Sequence, residues 1–355
     1  MLFDLHPKLH PEELYGRERE VEEVVRLVKL GNWVLVLGPR MVGKTSLMRT
    51  ACSLLEKEGF RTAYINLWGV KGSAGFLTAL VESINSVKGI FDKLKEAILN
   101  IEELSVGTSG IQLKTTRKPL STAWKLLSAI GRLKDRWLVV LDEVQELAAI
   151  SAQLHKLLAN VFNSYPNIIF IFSGSMFGLI KTLLNPSQSS PLYGRKPTPI
   201  KLQHFTRKQA LDFLRRGFME LRVGVNEDQL ADAVDRLGTS PGWLTLYGNY
   251  AAVQRLNHEE AVDEVIKEGV KIMKAELEHY LEDRDRETHL AVLKACLTPA
   301  TWTEIKKAVE RKKGYQVNDA TIQSTLQELQ AAMLIEKTNK TYMVMDPMLK
   351  ALLTM

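Results

Sequence analysis

Gly38-Pro39-Arg40-Met41-Val42-Gly43-Lys44-Thr45 follows directly on the apolar run Val34-Leu35-Val36-Leu37 and fits the phosphate-binding pattern G-x-x-x-x-G-K-[ST]. A loop whose successive backbone N–H groups point at one spot can cradle phosphates only where glycine permits the conformation and the close approach. Lys44 adds a mobile positive charge, and Thr45 supplies a hydroxyl for Mg²⁺. The helix expected to begin there, with Ser46 in its first turn, offers unpaired N–H groups to an anion. The stretch therefore implies nucleotide binding on a strand, loop and helix.

The 355 residues exceed the size at which one hydrophobic core usually stops growing, so two or three domains are expected. No apolar run approaches the roughly eighteen residues that span a bilayer, so a soluble protein with no membrane partner is expected. Residues 1–13 lack the continuous apolar segment of a secretory signal. Cys52 and Cys296 are the two cysteines, far apart and without C-x-x-C spacing. That pattern argues against disulfides and zinc and fits a reducing, cytoplasmic compartment. His6 and His10 are four apart, but Pro7 intervenes and no other ligand type clusters nearby. A net charge of +6 permits nucleic-acid contact without establishing it.

Through the first two hundred residues, buried-strand runs alternate with helical patterns, the signature of an α/β parallel sheet sandwiched by helices. The strand candidates are 33–37, 62–67, 137–141 and 168–172. Between the second and third lie helical patterns at 75–86 and 91–103, then a Gly/Ser/Thr-rich, hairpin-like stretch at 105–115. The insert at 88–118 is the least legible part. Residues 185–199, rich in Pro and Ser, read as a loop closing the sheet domain. Beyond it the strand signal stops. Thr206 with Gln209 and Asn226 with Gln229 are capping boxes opening two helices, which makes 203–283 a small helical domain. From 284 the order is helix, helix, helix, hairpin. Thr301 with Glu304 caps the second helix, Asn318 or Asp319 the third, and strands at 334–338 and 341–345 turn about Asn339-Lys340. That order describes a winged helix-turn-helix over 284–355, after a sheet domain over 1–202.

Leu138-Val139-Val140-Leu141-Asp142-Glu143 places an acidic pair at the carboxyl end of a strand, where open α/β sheets bind ligands. Asp142 is expected to hold Mg²⁺, and Glu143 to polarise the attacking water as general base. Ser173-Gly174-Ser175 ends the next strand. A hydroxyl there would sense the γ-phosphate or the lytic water, or simply make a strand-to-loop turn. In Pro191-Leu192-Tyr193-Gly194-Arg195-Lys196 a guanidinium follows the sheet domain, and Arg195 is either a phosphate sensor or a solvated charge.

Two further segments carry a resemblance. Leu14-Tyr15-Gly16-Arg17-Glu18-Arg19-Glu20 resembles the hhGRExE box of STAND-type ATPases and their AAA+ relatives. Leu237-Gly238-Thr239-Ser240-Pro241-Gly242-Trp243-Leu244 resembles their G-x-P motif. With the phosphate loop, the acidic pair, Phe172-Ser173-Gly174-Ser175 and the terminal winged helix, the chain resembles the archaeal ATPase family of P-loop NTPases within the ASCE division. The resemblance runs from about residue 10 to the end. It implies an Mg²⁺-dependent, slow ATPase binding ATP and ADP. Lys44, Thr45, Asp142 and Glu143 would take the ATPase roles and Arg195 a sensor role. Tyr15, Gly16 and Arg17 would border the adenine, and Pro241 would contact the nucleotide from the helical domain.

The output domain stays open. From 319 to 332 there is no Lys or Arg, while a DNA reader usually presents basic side chains there. Arg311, Lys312, Lys313, Lys337 and Lys340 remain as phosphate contacts. Residues 285–355 hold ten basic and eight acidic residues, a small surplus. One reading is a nucleotide-controlled conformational switch whose winged helix latches the ATPase or meets a protein partner. The other is a DNA-dependent ATPase resembling origin-recognition proteins. A small-molecule kinase would explain the sheet but leave everything after 200 without purpose.

Overall fold

The computed structural model describes residues 1–89, 91–107, 110–174, 183 and 186–355. Its contacts gather into two compact units: Lys8–Gly38 with Lys44–Leu202, and Met1–Pro7 with Pro39–Gly43 and Gln203–Met355.

The first unit is built on a five-stranded parallel sheet of β1 (Val34–Leu37), β2 (Phe60–Asn66), β5 (Arg136–Asp142), β6 (Ile168–Gly174) and β7 (Thr198–Lys201). The strand order is β2-β5-β6-β1-β7. β1 and β6 are buried along their whole length, which is why they read as unbroken apolar runs rather than alternating ones. Trp33 packs edge-on against Phe162 and Phe170, and Phe170 stacks on Phe172. Helices lie against this sheet: Glu18–Lys29 against β1 and β7, and Lys44–Lys57 and Gly72–Asn85 against β2.

All four expected strands are present. The fifth, β7, falls across the end of the stretch read as a loop. It pairs with β1 alone, so Pro199, which lacks an N–H, sits on an edge strand where proline is tolerated. Proline there mimics a loop signal. The insert forms a separate antiparallel hairpin, β3 (Leu104–Gly107) and β4 (Gly110–Leu113). Asn85 fastens it, donating from Nδ2 to the Ile111 carbonyl (2.9 Å) and accepting the Ile111 N–H at Oδ1 (2.8 Å).

The second unit is mainly helical. Thr206/Gln209, Asn226/Gln229 and Thr301/Glu304 form reciprocal capping boxes, and Asn318 caps the helix Asp319–Ala331. Each cap satisfies N–H groups that a helix start leaves without internal partners. The Phe3 ring is fully buried against Phe213 and Phe218. At its end the unit carries helices Arg286–Ala295, Trp302–Lys313 and Asp319–Ala331, with a small sheet of β8 (Ala300–Thr301), β9 (Glu336–Thr338) and β10 (Thr341–Met343) in the order β8-β10-β9. Asn339 adopts φ +55°, the left-handed turn that asparagine tolerates. A last helix, Pro347–Thr354, buries Met348, Leu349 and Leu353. Just before it, Asp346 accepts the Trp243 indole N–H at 3.2 Å.

Among the described residues no helix is long and apolar enough to cross a membrane.

Candidate functional site

β1 ends at Leu37 and the helix Lys44–Lys57 begins seven residues later, so the phosphate loop is a tight connection. Two of its residues have positive φ, Met41 (+58°) and Gly43 (+96°). No atom lies within 4 Å of where a Gly43 Cβ would sit, so glycine is required there by backbone conformation and not by space. The Lys44 ammonium donates to the Gly38 carbonyl at 2.8 Å. Ser46 Oγ accepts the Lys8 N–H at 3.2 Å, and Thr50 donates to the Lys8 carbonyl at 3.1 Å. The N-terminal stretch at Lys8 is thereby tied to the first turns of this helix.

Because β6 lies between β1 and β5, the carboxyl ends of these three parallel strands lie side by side. Asp142 closes β5, almost fully buried at 3% exposure, and three hydroxyls converge on its carboxylate. Thr45 donates to Oδ2 at 3.1 Å, Tyr64 of β2 donates to the same oxygen at 2.6 Å, and Ser173 of β6 donates to Oδ1. Burial, then the Asp142 charge, pushes the Tyr64 phenol up, so it stays a proton donor. The Arg49 guanidinium, one helical turn after Thr45, lies 3.5 Å from the centroid of the Tyr64 ring.

Glu143 turns the chain out of β5 at φ +60°, ψ 49°, a left-handed conformation uncommon for a residue with a side chain. Its N–H donates to Ser173 Oγ at 3.3 Å, and its carboxylate accepts Gln145 Nε2 at 2.6 Å. Ser173 thus bridges the two acidic residues and is itself fully buried. A left-handed residue of this kind costs about 1–3 kcal/mol and persists only where its surroundings hold it. The oxygen donors of Thr45 and Asp142 are hard ligands that fit Mg²⁺.

A family model described as an ATPase domain predominantly from Archaea matches residues 14–246. The chain belongs to this ATPase family. The model of the C-terminal winged helix-turn-helix domain of MCM proteins matches residues 283–345 of the same chain. Among solved structures, this archaeal-type ATPase is similar to a Walker-type ATPase of Pyrococcus abyssi, with 25% identity, TM-score 0.77 and both chains covered in full. It shares its fold with the Aeropyrum pernix ORC2 protein, with 16% identity, TM-score 0.67 and 99% and 96% of the two chains covered. The Aeropyrum pernix ORC1 protein, solved in complex with DNA, gives 17% identity, TM-score 0.51 and 99% and 95% coverage. A search of curated protein sequences gave no match.

The remaining expected site residues of the ATPase fall in different places. Tyr15, Gly16 and Arg17 belong to the sheet unit, as do Lys44, Thr45, Asp142 and Glu143. Gly16 has φ +66° and its N–H donates to Glu18 Oε1 at 3.1 Å. Arg17 is buried, which lowers its pKa against the opposing pull of Glu20 3.5 Å away. Arg195 donates from its guanidinium to the Pro191 carbonyl at 2.9 Å, within its own turn. Ser175 lies outside the described residues.

Pro39, Arg40, Met41, Val42 and Gly43 cluster with the second unit, as does Pro241. Pro241 opens the helix Pro241–Gly248 at its first position, where its missing N–H costs nothing. Next to it the Gly242 N–H donates to the Met41 carbonyl at 2.8 Å. Arg40 Nε pairs with Glu276 at 3.0 Å. A Cβ on Gly242 would stand 2.7 Å from Met41 Cβ and 2.9 Å from its carbonyl oxygen. Tyr64, Arg49 and Glu276 lie in no local motif and carry no sequence signal, and the contact of Gly242, though inside the G-x-P segment, is made to a residue about two hundred positions away.

Proposed function

We propose that this ATPase is a slow, Mg²⁺-dependent switch in which ATP and ADP favour different arrangements of the residues that hold the phosphate loop. Lys44 and the loop N–H groups would take the phosphates. Thr45 and Asp142 would hold Mg²⁺, which when bound neutralises charge growing on the phosphate oxygens. Glu143, whose carboxylate is oriented by Gln145, would polarise water as general base. Tyr15, Gly16 and Arg17 would border the adenine, and Arg195 would approach the γ-phosphate only after leaving the Pro191 carbonyl.

The observation that carries the switch reading is the bond from the Gly242 N–H to the Met41 carbonyl, which ties the loop apex to the Pro241 helix. A ligand shifts a conformational equilibrium only by its differential affinity for the two states. An apex held this way supplies that difference, since the helix holds the Met41 carbonyl while the N–H groups that would take phosphate lie on the same short backbone. The terminal helix adds support for a latch: Asp346 is bonded to Trp243, one residue beyond Gly242. The test is amide hydrogen exchange over 39–43 and 238–248 with Mg·ATP, with Mg·ADP and in Lys44→Ala. Different protection with the two nucleotides, lost in Lys44→Ala together with ATP binding, is expected. Identical protection sinks the switch, and undiminished ATP binding by Lys44→Ala sinks the site.

A second reading, a DNA-stimulated ATPase, is favoured by the winged-helix match over 283–345. Arg311, Lys312, Lys337 and Lys340 are exposed and available to phosphates, whereas Lys313 is engaged by Asp285 at 2.7 Å. The helix Asp319–Ala331 offers no cation. A gel shift with duplex DNA at two salt concentrations separates the readings, since phosphate contacts weaken steeply with salt. No binding at low salt ends the second one.

A further inference from the structure

Tyr64 takes no part in the proposed chemistry as described above, yet its hydroxyl lies nearer to Asp142 Oδ2 than that of Thr45, 2.6 Å against 3.1 Å. The register explains how it arrives there. In the parallel pair β2 and β5, Tyr64 stands opposite Val140, two residues before Asp142, and the side chain reaches forward along the sheet. The helix after the phosphate loop closes the arrangement from the other side. Thr45 in its first turn meets Oδ2, and Arg49 one turn later covers the ring that meets the same oxygen. A rigid ring with a cation over its face holds its hydroxyl in one place. With Ser173 on Oδ1, the Asp142 carboxylate is fixed at both ends by three different elements.

We propose that Tyr64 is a positioning residue for the metal-holding carboxylate, with Arg49 orienting its phenol. This rests on the reading of Thr45 and Asp142 as the Mg²⁺ ligands. Outer partners of ligating carboxylates fix their orientation, and removing one typically weakens metal affinity about 10- to 100-fold. A hydroxyl that merely satisfied a core polar group would affect folding and nucleotide binding alike, whatever the metal.

Tyr64→Phe separates these cases, because it keeps the ring under Arg49 and deletes one oxygen. The affinity for a fluorescent ATP analogue is measured in EDTA and across a Mg²⁺ titration, beside a thermal unfolding curve. The expected result is a half-saturating Mg²⁺ concentration raised about tenfold, with affinity in EDTA unchanged. Arg49→Gln, which leaves the phenol but removes the cation from its face, is expected to shift Mg²⁺ dependence less and in the same direction. It provides the measurement if Tyr64→Phe does not fold. A Mg²⁺ titration indistinguishable from wild type in either folded variant overturns the assignment, and so does an equal loss of affinity with and without metal. Wild-type protein that binds the analogue without regard to Mg²⁺ defeats the metal-site reading itself, and the role of Tyr64 with it.

Discussion

Gly242→Ala is the sharpest perturbation of the loop apex. The added methyl would lie 2.7 Å from Met41 Cβ and from its Cε, and 2.9 Å from its carbonyl oxygen. Carbon atoms in contact sit about 3.5–4.0 Å apart. The Met41 thioether can swing aside, but the Cβ and carbonyl are fixed by the backbone. Keeping the contact costs the overpacking penalty, about 1–3 kcal/mol. Releasing the apex instead forfeits one hydrogen bond, about 1 kcal/mol, and the partly exposed Arg40–Glu276 pair, about 1 kcal/mol. Release also lets Met41 leave its left-handed φ. Either response weakens the held state by roughly 2 kcal/mol, close to thirtyfold in equilibrium. Stopped-flow release of a fluorescent ADP reads the consequence: dissociation is expected to accelerate by about an order of magnitude, with amides 39–43 exchanging faster. Folded Gly242→Ala protein with wild-type release and wild-type exchange would refute the argument that this contact holds the apex.

Glu143→Gln is expected to lower ATP turnover at least about 100-fold while leaving ATP binding intact, as separate binding and phosphate-release assays would report. Leu349→Ala removes a fully buried side chain of the terminal helix and should cost about 2–5 kcal/mol in urea unfolding. Asp285, which bonds Lys313 and caps Thr288, titrates far below the ordinary aspartate value, first through the Lys313 bond. The stabilisation it contributes is therefore full above about pH 4 and is lost as pH falls further. Unfolding midpoints from pH 7 down to pH 2 should accordingly decline less in Asp285→Asn than in wild type.

What the sequence made legible was local. The phosphate loop, the four buried strands and the reciprocal caps at Thr206, Asn226 and Thr301 are each written within a few consecutive residues, so spacing alone identifies them. Asp142-Glu143 was legible for the same reason. Other features depend on residues distant in the chain. Tyr64 reaches Asp142 across 78 positions and Ser173 across 31, and the ring of Phe3 is buried among helices two hundred residues on. Periodicity gives no signal for such contacts. β7 was hidden differently, since Pro199 carries a loop signature that only its edge position makes harmless.

The chain passes from one unit to the other four times, after residues 7, 38, 43 and 202. Neither unit is therefore a contiguous segment that can be cut out and expressed. A fragment starting at residue 203 would lack the aromatic ring that fills the narrow space between Gly217 and Gly248, where any added Cβ would stand within 2.5 Å of Phe3. Losing such a ring typically costs about 3–5 kcal/mol. Dissection of this protein by truncation would therefore damage the piece it sets out to isolate, and the first seven residues must accompany the last hundred and fifty if the second unit is to be studied alone.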